Sequence, residues 1–467
     1  MTLATGRAPT NPASAAASGG AGAAAATSGA GQPSAPTRPR TDRRLSRLRV
    51  VLAVGALVFG AAGIISTQVR VDGADDVKSH SGVLIQQAEQ LYHNLSDADA
   101  TAATIYLHVG EAPKDLLQRY DGDLAGAQSA LLAATNEAGD DSAAKSSLDQ
   151  IAQQLPSYAK LNATAAANNL VGYPVGFRYL TQASNLMQST ILPQAQKLSD
   201  TEAKNLAAAE DTATQFPWLM VAVAVLLLVV LFMIQIRESR RTNRVFNLGL
   251  LGATVGLALS LLWAASADLV QSGHLDKAKK RGSDQVSVLA TARILSLQAR
   301  TDEMLTLVGR GTADNMEADY AGTADASGTH VPGREERLAD TLRTAARIAT
   351  DSAGTKLAAQ ASQDEGAWRV QHQALRVFDQ QNQYQKAVDS ALGEHGFATG
   401  QTGAEQAFEK LQSDLEQAIK HSEDTFRAEA KAGAGALTGL QIGLGVLAVA
   451  MAGAVLVGLG RRIAEYH

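Results

Sequence analysis

The chain has 467 residues, a formal net charge of -5 and no cysteine. This excludes disulfides, thiolate metal sites and cysteine catalysis, and no basic domain surface suggests nucleic acid. Aromatic residues make up only 4% while alanine abounds, which suits helices and not β-sandwiches.

Residues 1–37 are Ala, Gly, Ser, Thr and Pro with almost nothing to bury, so a disordered tail is expected there. It ends in an arginine-rich stretch, up to residue 49, that reads as a topology signal and could also rest on anionic membrane lipid. The first apolar span, 50–69, follows. Further spans occupy 217–236, 246–266 and 435–460. Each is about 20 residues or more and free of charge, enough to cross a bilayer as a helix. A cleaved signal peptide is the rival reading of the first span, but its n-region would be far too long and no A-x-A site closes it.

Arg38–Arg49 precede the first span, Arg237, Arg240, Arg241 and Arg244 fill the 237–245 connector, and Arg461 and Arg462 follow the last span. With four crossings all these clusters share one side. The positive-inside rule makes it cytoplasmic, together with both termini and residues 461–467. Segments 70–216 and 267–434 then lie outside the cytoplasm, in a multi-pass cell-membrane protein.

Within the first segment Leu84, Ala88, Leu91, Leu95, Ala98, Ala102 and Ile105 form a heptad, coiled-coil-like seam on one helix face. Pro113 ends that helix. A second seam runs from Leu117 through Tyr120 to Leu131, a third helix carries Ile151, Tyr158 and Leu161 with Pro156 as a kink, and a fourth carries Phe177 to Ile191 and continues into the second span. Tyr120 and Tyr158 are read as core edges. Short loops between four helices predict an up-down bundle. The second segment repeats the seam with Ala290, Ile294, Leu297, Thr301, Met304 and Val308, interrupted at Thr323–Gly333 and Gly393–Gly403. The predicted fold is an all-α membrane protein with four transmembrane helices and two extracytoplasmic four-helix bundles, a tandem duplication.

Alternation of direction puts the turns near Asn168 and Gln380 at the far tips. Asn168, Asn169, Tyr173 and Pro174, with Tyr384 from the second segment, are the candidate contacts for a partner or ligand. The bland alternative is a turn needing Gly172 and Pro174 for their backbone angles. His93 and Asp97 lie one helical turn apart, but they have no third ligand and are expected on an exposed face, as is Asp97-Ala98-Asp99. No metal and no cofactor are therefore expected. No phosphate loop, nucleophile elbow or dinucleotide fingerprint occurs, and no enzyme activity is expected. Gly252-x-x-x-Gly256 and Gly439-x-x-x-Gly443 suit close helix packing.

Leu91–Ala103, Asn168–Leu180, Leu297–Glu303 and Gly460–Tyr466, in this twice-written plan, resemble the four-span actinobacterial membrane proteins called GlnX. The resemblance implies a signal relay. An extracellular amino-acid-binding lipoprotein detects glutamate- or glutamine-type nutrients, and the membrane protein informs a cytoplasmic Ser/Thr kinase of the PknG type. The competing reading is a structural or accessory subunit of a transporter or secretion system. The sequence allows a homo-oligomer without specifying one.

Overall fold

The computed structural model describes residues 40–76, 82–108, 110–139, 141–213, 215–242, 248–310, 313–393 and 403–464. The expected disordered tail, Arg38, Arg244 and most of the 393–403 interruption lie outside these residues. The structure is about 89% helical, so the fold is a matter of how helices pack.

Among the described residues four helices are long and apolar enough to cross a membrane: α1 (Arg40–Asp76), α7 (Trp218–Thr242), α8 (Leu248–Ala278) and α15 (Leu440–Ala464). They share an apolar cluster that includes Phe59, Leu257 and Leu444. Lipid tails are as apolar as leucine, so spans associate by close fit and not by escape from water. Glycine supplies that fit. A Cβ on Gly249 would lie 2.4 Å from the Ala454 carbonyl oxygen and 2.5 Å from Gly458 Cα, so the backbones of α8 and α15 touch. Of the expected motifs, Gly256 and Gly443 do pack, against Met451 and Trp263. Gly252 faces open space, and Gly439 has φ +80° at the turn before α15. Where α1 and α8 leave the spans, Arg70 and Asp268 form an ion pair of 2.6 Å.

The first segment runs through α2 (Gly82–Leu107), α3 (Lys114–Glu137), α4 (Ser142–Leu170), α5 (Val175–Leu186) and α6 (Leu192–Ala213). A π-helical turn at Met187–Ile191 joins α5 to α6. Asp141 caps α4 by accepting from the Ala143 and Ala144 amides, and α4 continues through Pro156. The predicted run of the fourth helix into the second span does not occur. The chain leaves helical geometry at Gln215–Pro217, because Pro217 lacks an amide donor and pushes Phe216 out of the α region.

The second segment comprises α9 (Asp284–Val308), α10 (Asp314–Ala321), a hairpin of β1 (Gly322–Ala324) and β2 (His330–Pro332), then α11 (Arg334–Ile348), α12 (Ser352–Gln380), α13 (Tyr384–Leu392) and α14 (Ala404–Ala436). The Thr323–Gly333 interruption is thus an ordered antiparallel ribbon. A π-helical turn at Lys279–Ser283 joins α8 to α9, making one helix of 61 residues from Leu248 to Val308.

The expected seam is buried: Leu84, Ala88, Leu91, Leu95 and Ala98 are at most 1% exposed. The expectation that Asp97-Ala98-Asp99 forms a solvated face fails. Asp97 and Asp99 are buried and His93 is half-buried. The reason is a second partner, because α2 packs on α3 and α6 on one side and on α9 on the other. The segments do not stand apart. Ala100 of α2 belongs to the core around Trp368, and Leu107, Leu180, Leu305 and Leu375 share a further cluster.

Candidate functional site

Where α2 and α9 meet, both helices are buried around nearly their whole circumference, from Asn94 to Thr104 and from Leu295 to Leu307. Polar side chains there must find partners inside the protein. Asp99 accepts from Ser184 Oγ at 2.8 Å, Gln188 Nε2 at 3.4 Å and Tyr158 Oη at 3.4 Å. Gln188 in turn accepts from Arg334 Nη2 at 2.8 Å. Arg334, at the start of α11, also pairs with Asp302 of α9. A continuous polar chain therefore runs from Tyr158 in the first segment to Asp302 in the second. Gln298 adds a crossing bond to the Tyr92 hydroxyl at 3.3 Å.

Beside this chain lies a second polar knot. Glu303 accepts from Arg300 Nη1 at 2.5 Å and Trp368 Nε1 at 3.3 Å, and pairs with His372 Nδ1 at 2.9 Å. Tyr320 stacks on the His372 ring at 3.7 Å. Burial pushes the Glu303 carboxyl up, but Arg300 and His372 outweigh it and hold it below its ordinary value. His372 is held above its ordinary value because Glu303 and Glu317 outweigh the effect of its burial. Those carboxylates face opposite ring nitrogens, so they bracket the imidazole and not a common point. Among the described residues no three His, Asp or Glu side chains converge as metal ligands would.

Burial pushes the Asp99 carboxyl up to about 6, against hydrogen bonds from Ser184, Gln188 and Tyr158 that favour its charged form. A raised folded-state value means the folded protein holds the proton more tightly than the unfolded chain. The associated stability is full below about pH 4 and is lost as pH rises through 6, by roughly 3 kcal/mol in all. In Asp99→Asn the dependence of thermal midpoint on pH between 4 and 6 should flatten. A slope equal to that of the unsubstituted protein would contradict this account.

The predicted tip residues fall in one turn. Tyr173 donates its amide to the Asn168 carbonyl at 2.8 Å, and Gly172 adopts φ +72°. Tyr173 and Pro174 are exposed, while Asn168 and Asn169 are half-buried. Asn169 Nδ2 donates to the Tyr106 carbonyl at 3.0 Å, which ties the end of α4 to the end of α2. Tyr384 is half-buried beneath the Arg310 guanidinium, 4.3 Å from its ring centre, and shares an apolar cluster with Tyr106 and Phe177. In the connector, Arg237 and Arg240 are exposed in the last turns of α7, and Arg241 lies in the same helix.

Sequence reasoning missed the α2–α9 interface and with it Asp99, Arg300, Asp302, Glu303, Arg334 and His372. A signal was present: Ala100, Ala103 and Leu107 form a second apolar set off the α2 seam, as Ala292, Leu295 and Ala299 do on α9. A helix with two apolar faces has two neighbours.

No curated protein matches the chain. Residues 73–211, which include the α2 stretch at the centre of this interface, match the family model described as "Actinobacterial sensor domain", and the match supports an actinobacterial sensor protein.

Proposed function

We propose that the chain is a non-enzymatic transmembrane sensor and relay. Segments 70–216 and 267–434 face outward, and the 237–245 connector and both termini face the cytoplasm, as the arginine clusters favour. The reading treats the segments as duplicated four-helix bundles coupled through α2 and α9. The observation that carries it is the helix Leu248–Val308. One end of this helix lies in the α2–α9 interface, and the other adjoins the connector. A bias at the distal end would shift two packings of the interface, with coupling typically about 1–3 kcal/mol.

The signal is an external amino-acid nutrient such as glutamate or glutamine, delivered at the tip by a binding lipoprotein, and the reader is a PknG-type Ser/Thr kinase. Exposure of Tyr173 and Pro174 and the family match to a sensor domain support this direction. Deleting the protein should abolish the dependence of the kinase's substrate phosphorylation on external glutamate. Phosphorylation that still follows glutamate in the deletion strain would sink the relay.

A further inference from the structure

At the distal end of the first segment α2, α3 and α4 part around a cavity of about 520 Å³, within the range of small-molecule sites. Ile105, Leu117, Leu124, Ala163 and Leu180 give it largely apolar walls. Polar side chains interrupt them, among them Asn162 and Tyr120. Asn162 is only 7% exposed, and among the described residues neither its amide nitrogen nor its oxygen makes a hydrogen bond of ordinary geometry. The Tyr120 hydroxyl is buried in the same condition. Asn162 interacts at close range with the Tyr120 and Tyr158 hydroxyls, but no hydrogen bond of ordinary geometry joins it to either.

Leaving a buried amide unsatisfied costs about 1–3 kcal/mol, and neighbouring positions of α4 are filled by alanine, which would not. The amide therefore reads as a recognition group. Among the described residues no lysine or arginine lines the cavity, and its charged neighbours there are Glu111 and Asp121. A carboxylate would enter without a counter-charge and against two negative ones, at a cost that burial magnifies. An amide or hydroxyl could instead both give to and accept from Asn162. Membrane lipid is out of reach, since about 20 residues of α2, about 30 Å of helix, separate the cavity from the base of the segment.

We propose that this cavity binds a small molecule with an apolar body and an uncharged hydrogen-bonding head, and rejects carboxylates. As the sensor's direct input this rests on the relay reading above, and it implies that a free amino acid such as glutamate acts through a carrier and not here.

The test uses the full chain in lipid nanodiscs, with 2-naphthamide and 2-naphthoate as probes of one shape and different charge. Equilibrium dialysis against empty nanodiscs should show saturable naphthamide binding, with naphthoate at least tenfold weaker. Asn162→Leu should weaken naphthamide at least tenfold while keeping the helical circular dichroism. Ala163→Trp, at an exposed position of the cavity wall, should block both probes without touching the core. Equal affinity for the two probes, unchanged naphthamide binding in Asn162→Leu, or no saturable binding to the unsubstituted protein would each overturn the proposal. The assay reads binding alone, so failure of the relay would leave its outcome unchanged.

Discussion

Arg300→Ala is expected to lower the thermal midpoint of the protein by about 4 °C, from a loss of about 3–5 kcal/mol. Arg300 is 1% exposed. Its guanidinium pairs with Glu303 and Glu405, donates to the Ala391 carbonyl at 3.2 Å and lies 5.4 Å from the Phe408 ring centre. Both the cation and Glu303 have left water, so their attraction mainly offsets desolvation. Deleting one partner is another matter, because Glu303 would remain buried with its main counter-charge gone. Glu303→Gln in the Arg300→Ala background should therefore recover part of the loss, since it removes the stranded charge. A midpoint shift below about 2 °C for Arg300→Ala, measured by circular dichroism in detergent micelles, would mean the knot is hydrated and its members independent.

Gly249→Leu is expected to prevent correct assembly of the spans. Any Cβ there meets the Ala454 carbonyl and the Gly458 backbone, at 2.4 and 2.5 Å, and neither can rotate away as a side chain would. Overpacking ordinarily costs about 1–3 kcal/mol, and more when two helix axes must separate along their length. Gly252→Leu is the matched control, since nothing lies within 4 Å of its added Cβ. Size-exclusion chromatography after mild detergent extraction should give a monodisperse peak for Gly252→Leu and aggregate for Gly249→Leu. Identical profiles would refute the backbone contact.

The spans were legible because a run of about 20 uncharged residues has few alternatives to crossing a bilayer. The α2 seam was legible for a similar reason, since Leu84 to Ala98 keep one period without interruption. The break at Gln215–Pro217 was also within reach. Pro217 opens the second apolar span, yet its missing donor also ends helical entry from the preceding segment. The polar interior was harder. Asp97, Asp99, Asp302 and Glu303 carry the composition of a solvated face, and only contact between helices about 200 residues apart converts them into a buried network. Periodicity records how many faces a helix must cover, and leaves open which helix covers them. The cavity was less legible still, since Ala102, Ala163 and Asn162 are ordinary helix residues until three helices are placed around them.

The Leu248–Val308 helix has a mechanical consequence. At Asp268 it is clamped to α1 through Arg70, so it behaves as a lever on a fulcrum. About 40 residues extend from that point toward Val308 and about 20 toward Leu248, arms of about 60 and 30 Å. A sideways displacement of 2 Å at the far end would emerge beside the connector as about 1 Å in the opposite direction, halved in travel and doubled in force. The first segment has no matching strut into α7, because the chain gives way at Pro217. Helical continuity between segment and span is thus present from α8 to α9 and broken between α6 and α7, so the two segments differ in how stiffly they are joined to the spans.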